Sequence, residues 1–178
     1  KIMKALLVAV NATFSHSSLA LRYLLTYCRR QFPTLKGLEF NINQDSGEIL
    51  GELVRQKPDL VGFSCYIWNI EKILDLAADL HKVLPQTTIV MGGPEVSFHI
   101  EHWLNTYPFL DYIIAGEGEE AFRLFLETYQ RAEGPMSADR LKIIPGLAYR
   151  LKGRICANPP ETLDLDTIRY AQASDKKI

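Results

Sequence analysis

Cysteine is scarce in this chain: three residues in 178, Cys28, Cys65 and Cys156, with no Cys-x-x-Cys spacing among them. An odd, scattered set excludes a disulfide framework and a zinc ribbon, and a reducing cytoplasm is the expected compartment. The same scarcity excludes a Cys-x₃-Cys-x₂-Cys run, so these residues offer no seat for an iron–sulfur cluster. Charge of one sign is also lacking. The 20 basic and 21 acidic residues leave a net charge of −1, with no basic footprint for nucleic acid or an anionic membrane. Apolar runs such as residues 5–10 fall far short of the roughly 20 residues a membrane-spanning helix needs. What is present is 47% hydrophobic and 23% charged, a composition that can bury its own core.

The dominant pattern is alternation of short β-branched runs with longer amphipathic stretches. Residues 3–10 (MKALLVAV), 38–42, 59–64 (DLVGFS), 87–91 (TTIVM) and 111–115 (DYIIA) read as strands. Between and after them, residues 17–31, 46–56, 70–84, a stretch from Glu95 or Ser97 to Asn105, and 117–130 carry the helical period. Near-continuous apolar strands alternating with helices predict an α/β fold: a doubly wound, five-stranded parallel sheet, flavodoxin-like or Rossmann-like, in the order 2-1-3-4-5. Residues 132–139 read as a loop. Residues 146–158, turning at Lys152-Gly153, read as a C-terminal β-hairpin. Residues 161–178 are polar and read as a linker or arm.

In an open α/β sheet, ligands bind outside the carboxyl ends of the strands. Four loops are therefore candidates. The first holds Asn11, Thr13, Ser15, His16, Ser17 and Ser18, hydroxyl-rich and able to cradle a polar or anionic group at a helix N-terminus. Ser17 or Ser18 could equally be a plain helix cap. The third strand runs through Ser64 and Cys65 into Tyr66, Ile67, Trp68 and Asn69. Aromatics there suit a large planar ligand, or they pack under the next helix. Gly92, Gly93, Pro94, Glu95 and Ser97 follow the fourth strand, and paired glycines let backbone approach a ligand closely. Gly116, Glu117, Gly118, Glu119, Glu120 and Ala121 match G-x-G-x-x-[GA]. The dinucleotide reading fails, because that fingerprint belongs to the first βα unit and three glutamates repel a pyrophosphate. Acidic residues there suit the helix dipole or a neutral polar ligand group. His99 and His102 could share a helix face with Glu95 or Glu101 nearby, but a metal site would need further ligands. No metal ligand and no catalytic residue is assigned.

Together, Val61–Ser64 (VGFS), Met91–Ser97 (MGGPEVS) and D-Y-I-I-x-G-E-G-E at 111–119, followed by an amphipathic helix, resemble the cobalamin (vitamin B12) binding domain at the N-terminus of many radical S-adenosylmethionine enzymes. The hairpin at 146–158 and Leu163-Asp164-Leu165-Asp166 look like the connection into the radical domain. The resemblance implies a Rossmann-like domain over residues 1–132, a loop and hairpin over 133–160, and a linker over 161–178. It implies a corrin over the strand ends, with the nucleotide tail tucked between sheet and helices. Ser64, Gly92 and Gly93 would contact that tail. A downstream domain of the same polypeptide would supply the 4Fe-4S cluster and bind S-adenosylmethionine, with methyl transfer the expected reaction of the whole enzyme, so this chain alone would not be an enzyme. One motif departs from the best-known cobalamin domains: in D-x-H-x-x-G, Phe14 stands for Asp and Leu19 for Gly around His16. Without its carboxylate brace, His16 is not expected to ligate cobalt. The competing readings are a flavodoxin-like module for FMN or another phosphate, a phosphoacceptor receiver domain, which lacks an Asp where Ser64 stands, and a ligand-free interaction domain.

Overall fold

The computed structural model describes residues 2–13, 17–132 and 135–160. In chain order they form β1 (Ala5–Asn11), α1 (Leu19–Cys28), β2 (Lys36–Asn41), α2 (Ser46–Gln56), β3 (Leu60–Ser64), α3 (Ile70–Val83) and β4 (Thr88–Gly92). There follow α4 (Ile100–Thr106), β5 (Tyr112–Ile114), α5 (Glu119–Arg131), α6 (Ala138–Leu141), β6 (Leu147–Leu151) and β7 (Arg154–Ala157). The sheet order is β2-β1-β3-β4-β5-β6-β7. The first five strands are parallel in the expected 2-1-3-4-5 order, and β6 and β7 continue antiparallel from β5.

Strand alternation sorts the apolar residues onto two faces. Leu6, Val8, Val61, Phe63, Ile89 and Met91 pack under α2, α3 and α4. Leu7, Ala9, Leu60, Val90 and Ile114 pack under α1 and α5. On this second face, the register aligns Leu7 with Gly62 and Val90, and one step nearer the carboxyl ends Ala9 with Ser64 and Gly92. Small residues thus line the top of the sheet, leaving space between it and α1 and α5.

Local chemistry explains the borders. The Asp45 side chain accepts from the Glu48 N–H and starts α2, which ends where Lys57 turns left-handed at φ 47°. The expected C-terminal hairpin is present, and it extends the main sheet through the β5–β6 pairing. Two expectations are corrected. The fourth helix begins at Ile100, not at Glu95 or Ser97, because His99 adopts a left-handed conformation (φ 54°) and breaks the path. His99 therefore lies outside the helix that carries His102. The stretch expected as a loop over 132–139 runs into α6 at Ala138. Residues 161–178, read above as a linker, lie outside the described residues.

Candidate cofactor-binding site

A cavity of about 470 Å³ occupies the space left by those small residues. Its floor is Leu7, Gly62, Val90 and Ile114, and its outer walls are Leu24 of α1 and Phe122 of α5. Gly62 lets these walls come close: a Cβ there would stand 3.0 Å from Leu7 Cδ2 and 3.6 Å from Phe122 Cε2. The mouth opens at the carboxyl ends of the strands, where Ser64, Tyr66, Gly92, Gly93, Pro94, Ser97, Gly116, Glu117 and Gly118 all border it. Half of the site residues expected from sequence thus converge on one slot.

The loops at the mouth are cross-braced. Gly93 (φ 108°) lies so close to the third loop that a Cβ would sit 2.5 Å from the Cys65 carbonyl oxygen. The Cys65 N–H donates to the Gly92 carbonyl at 2.7 Å. Ser97 Oγ donates to the Gly93 carbonyl at 2.8 Å and accepts from the Gly116 N–H at 3.1 Å, joining the β4–α4 and β5–α5 loops. Buried Asn69 donates to the Val10 carbonyl (3.0 Å) and the Ser64 carbonyl (3.1 Å), and accepts from the Tyr66 N–H (2.8 Å). Its amide braces the loop from within and does not border the slot. Cys65 is fully buried in the α3 face of the core, where burial pushes its thiol up, well above its ordinary range. Tyr66 and Trp68 stack with centroids 4.4 Å apart and planes 10° apart. Ile67, Trp68 and Phe98 are exposed beside the mouth. Glu95 is half-buried and away from the slot lining.

The first loop behaves differently from its reading. Asn11 and Ser17 stand apart from the slot and bond to Glu39 of β2. Ser18 caps α1, its Oγ accepting from the Leu21 N–H at 3.2 Å. Thr13 is exposed and makes polar or electrostatic contact. Ser15 and His16 lie outside the described residues. Among the described residues, no group of three or more His, Cys, Asp or Glu could hold a metal ion.

At the start of α5, Glu119 joins the slot lining, whereas Glu120 turns outward. Glu120 accepts from Tyr27 Oη at 2.8 Å and from Arg123 at 2.7 Å. The Arg123 guanidinium holds the Glu120 carboxyl below its ordinary value, outweighing partial burial. Sequence reading missed the slot's walls, because Leu24 and Phe122 look like ordinary core positions until the sheet aligns them. It also missed Glu39, which carries no motif.

A doubly wound sheet with a deep, mainly apolar slot opening at its carboxyl edge defines a module that holds a large ligand by shape. The model of the B12 binding domain family matches residues 5–126, and the chain belongs to that family. The cobalamin-dependent radical SAM methyltransferase TokK of Streptomyces tokunonensis is 35% identical over 94 residues, which cover 53% of this chain and 13% of that protein. An uncharacterized methyltransferase of Pyrococcus horikoshii is 26% identical over 174 residues, covering 92% of this chain and 36% of that protein. This chain therefore spans well under half the length of either relative. The solved structure of the cobalamin-dependent S-adenosylmethionine radical enzyme OxsB, with aqua-cobalamin and S-adenosylmethionine bound, matches with a TM-score of 0.72. That match covers 93% of this chain and 23% of that one at 18% identity, which speaks to the fold.

Proposed function

We propose that this chain is the cofactor-holding module of a cobalamin-dependent radical S-adenosylmethionine enzyme that transfers methyl groups. The observation that carries this reading is the slot between the sheet and α1 and α5. Its apolar walls fit the flat aromatic base of a nucleotide tail, and its mouth opens where a corrin would rest. In this reading Gly62, Ser64, Gly92 and Gly93 line the tail's path on the sheet side, and Leu24 and Phe122 close it on the helix side. Tyr66, Trp68 and Phe98 flank the corrin at the mouth. Ser97, Gly116 and Gly118 keep the rim in shape. Bound cobalamin supplies cobalt chemistry for moving a one-carbon group.

What the chain's own residues do is bind, orient and exclude water. The stacked Tyr66–Trp68 pair and the Asn69 brace keep the third loop rigid, so ordering it on binding takes little entropy. Reductive cleavage of S-adenosylmethionine would belong to a downstream domain of the same polypeptide carrying three closely spaced cysteines and a 4Fe-4S cluster. The three free cysteines here suit a reducing cytoplasm. Among the described residues, no helix is long and apolar enough to cross a membrane.

The test is an absorbance titration with hydroxocobalamin and, separately, with FMN. Saturable spectral change with the corrin and none with the flavin is the expected result. Binding of FMN without binding of cobalamin overturns the proposal.

A further inference from the structure

The first loop has the hydroxyls of an anion cradle, yet a carboxylate of the protein itself takes the anion's place. Glu39 Oε2 accepts from Asn11 Nδ2 and from the Ser18 N–H, both at 2.8 Å, and Oε1 accepts from Ser17 Oγ at 3.2 Å. These donors come from both flanks of the loop: the last residue of β1 and the two residues ahead of α1. Glu39 is exposed on β2; the limited desolvation of its carboxylate works against the charge, but the Ser18, Asn11 and Ser17 donors prevail and hold Glu39 below its ordinary value.

Two further features give this clamp a purpose. α1 has no acidic residue in its own first turn. Negative charge is favourable at a helix N-terminus, and Glu39 supplies it from the neighbouring strand. Just beyond the clamp, Ala20, Leu21 and Leu24 form the α1 wall of the slot. At its other end α1 is tied to α5 by the Tyr27–Glu120 bond. The helix is thus pinned at both ends, and the Glu39 end is the one next to the mouth.

We propose that Glu39 is a positioning residue for the slot: it sets the stance of the α1 wall and so strengthens cobalamin binding without touching the ligand. The second half of that statement rests on the slot being a cobalamin site. The experiment compares wild type with Glu39→Ala and Glu39→Gln by two readouts, amide hydrogen exchange at Ser18, Leu21 and Arg22, and the Kd for hydroxocobalamin from absorbance titration. In Glu39→Ala, exchange at those amides rises and Kd weakens, each about tenfold, while exchange in α5 is unchanged. Glu39→Gln stays within about threefold, because its amide oxygen still accepts from Ser18 and Asn11 and its amide nitrogen donates to Ser17 Oγ. If Glu39→Ala fails to fold, Asn11→Ala removes one of the three bonds and gives a smaller rise in both readouts. Wild-type exchange or wild-type Kd in the alanine variant overturns the proposal, as does a glutamine variant as impaired as the alanine one. If wild type does not bind hydroxocobalamin at all, the cobalamin reading fails, and with it the binding half of this proposal, while exchange still decides whether Glu39 holds the wall.

Discussion

Gly62 offers the sharpest separation of folding from binding. It lies mid-strand in β3, between Leu7 of β1 and Val90 of β4, on the slot floor. Its φ lies outside the left-handed range, so any side chain fits the backbone. Replacing it with Ala removes freedom from the unfolded chain, a gain of about 0.4–1 kcal/mol. The new Cβ meets Leu7 Cδ2 at 3.0 Å, but that atom is the far end of a flexible side chain, so the crowding costs about 1 kcal/mol. The two effects nearly cancel. Gly62→Val adds two more methyl groups to the same space, in a residue suited to a strand. Overpacking of about 2 kcal/mol then falls on Leu7 and Phe122, the neighbours of the new side chain, when the slot is empty, a drop in Tm of roughly 4–8 °C. With ligand present, the added methyls also exclude ligand surface, and the Kd for hydroxocobalamin weakens by more than about tenfold, or 1.4 kcal/mol. The assay pairs calorimetric Tm with absorbance titrations of hydroxocobalamin and of cobinamide, which lacks the nucleotide tail. The expected result is a graded loss of cobalamin affinity from Ala to Val, with cobinamide affinity unchanged. If Gly62→Val keeps its fold and binds cobalamin like wild type, or loses both ligands alike, the slot does not take the tail.

Other outcomes follow from the same geometry. Gly93→Ala forces a side chain into the left-handed range and onto the Cys65 carbonyl, so it destabilises by about 2–3 kcal/mol in urea unfolding; a loss below about 0.5 kcal/mol would show that the turn is not strained. Glu120 has a lowered pKa in the folded state, so its contribution to stability is present above its ordinary value and is lost as pH falls through the folded one. Urea unfolding at about pH 6 and about pH 3 therefore shows a larger acid loss in wild type than in Glu120→Gln. Asp111 works in the opposite sense, since burial raises it, and Asp111→Asn steepens the acid loss. If cobalamin binds, its cob(II)alamin state shows no nitrogen superhyperfine splitting from His16, and electron paramagnetic resonance spectra of wild type and His16→Ala coincide. A splitting present in wild type and absent from the variant contradicts this.

Most element borders were legible because each rests on local pattern, and the strand order was legible because five successive βα units fold into few topologies. Residues 46–56 follow the expected helix to the residue, since the Asp45 cap and the Lys57 stop are both short-range effects. The break at His99 was not legible, because nothing about histidine demands φ 54°. The mouth of the site was readable from Ser64, Gly92, Gly93 and Gly116, which are small residues at strand ends. The walls were not, because Leu24 and Phe122 differ from core residues only in what they leave empty. Asn11, Ser17 and Asn69 carried the right chemistry for a ligand, yet the partners of Asn11 and Asn69 are protein groups 28 and 59 residues away. Spacing along the chain cannot reveal partners that the sheet order creates.

The same partners bear on whether a flavin phosphate could occupy this fold instead. A terminal phosphate needs N–H groups free at a helix N-terminus and glycines that let it approach. The first loop has no glycine between Asn11 and Ser18, and the Ser18 N–H already donates to Glu39. At α5, Glu117 and Glu119 border the slot and repel an anion. The slot itself is walled by Leu7, Leu24, Val90 and Phe122, where an unpaired charge is costly. A ligand that enters it therefore presents a neutral, flat, apolar part inward and keeps any charged part outside the rim. A cobalamin tail can meet that demand, with its aromatic base inside and its phosphodiester beyond the mouth. FMN cannot follow the usual arrangement, in which the phosphate sits deep in the first loop.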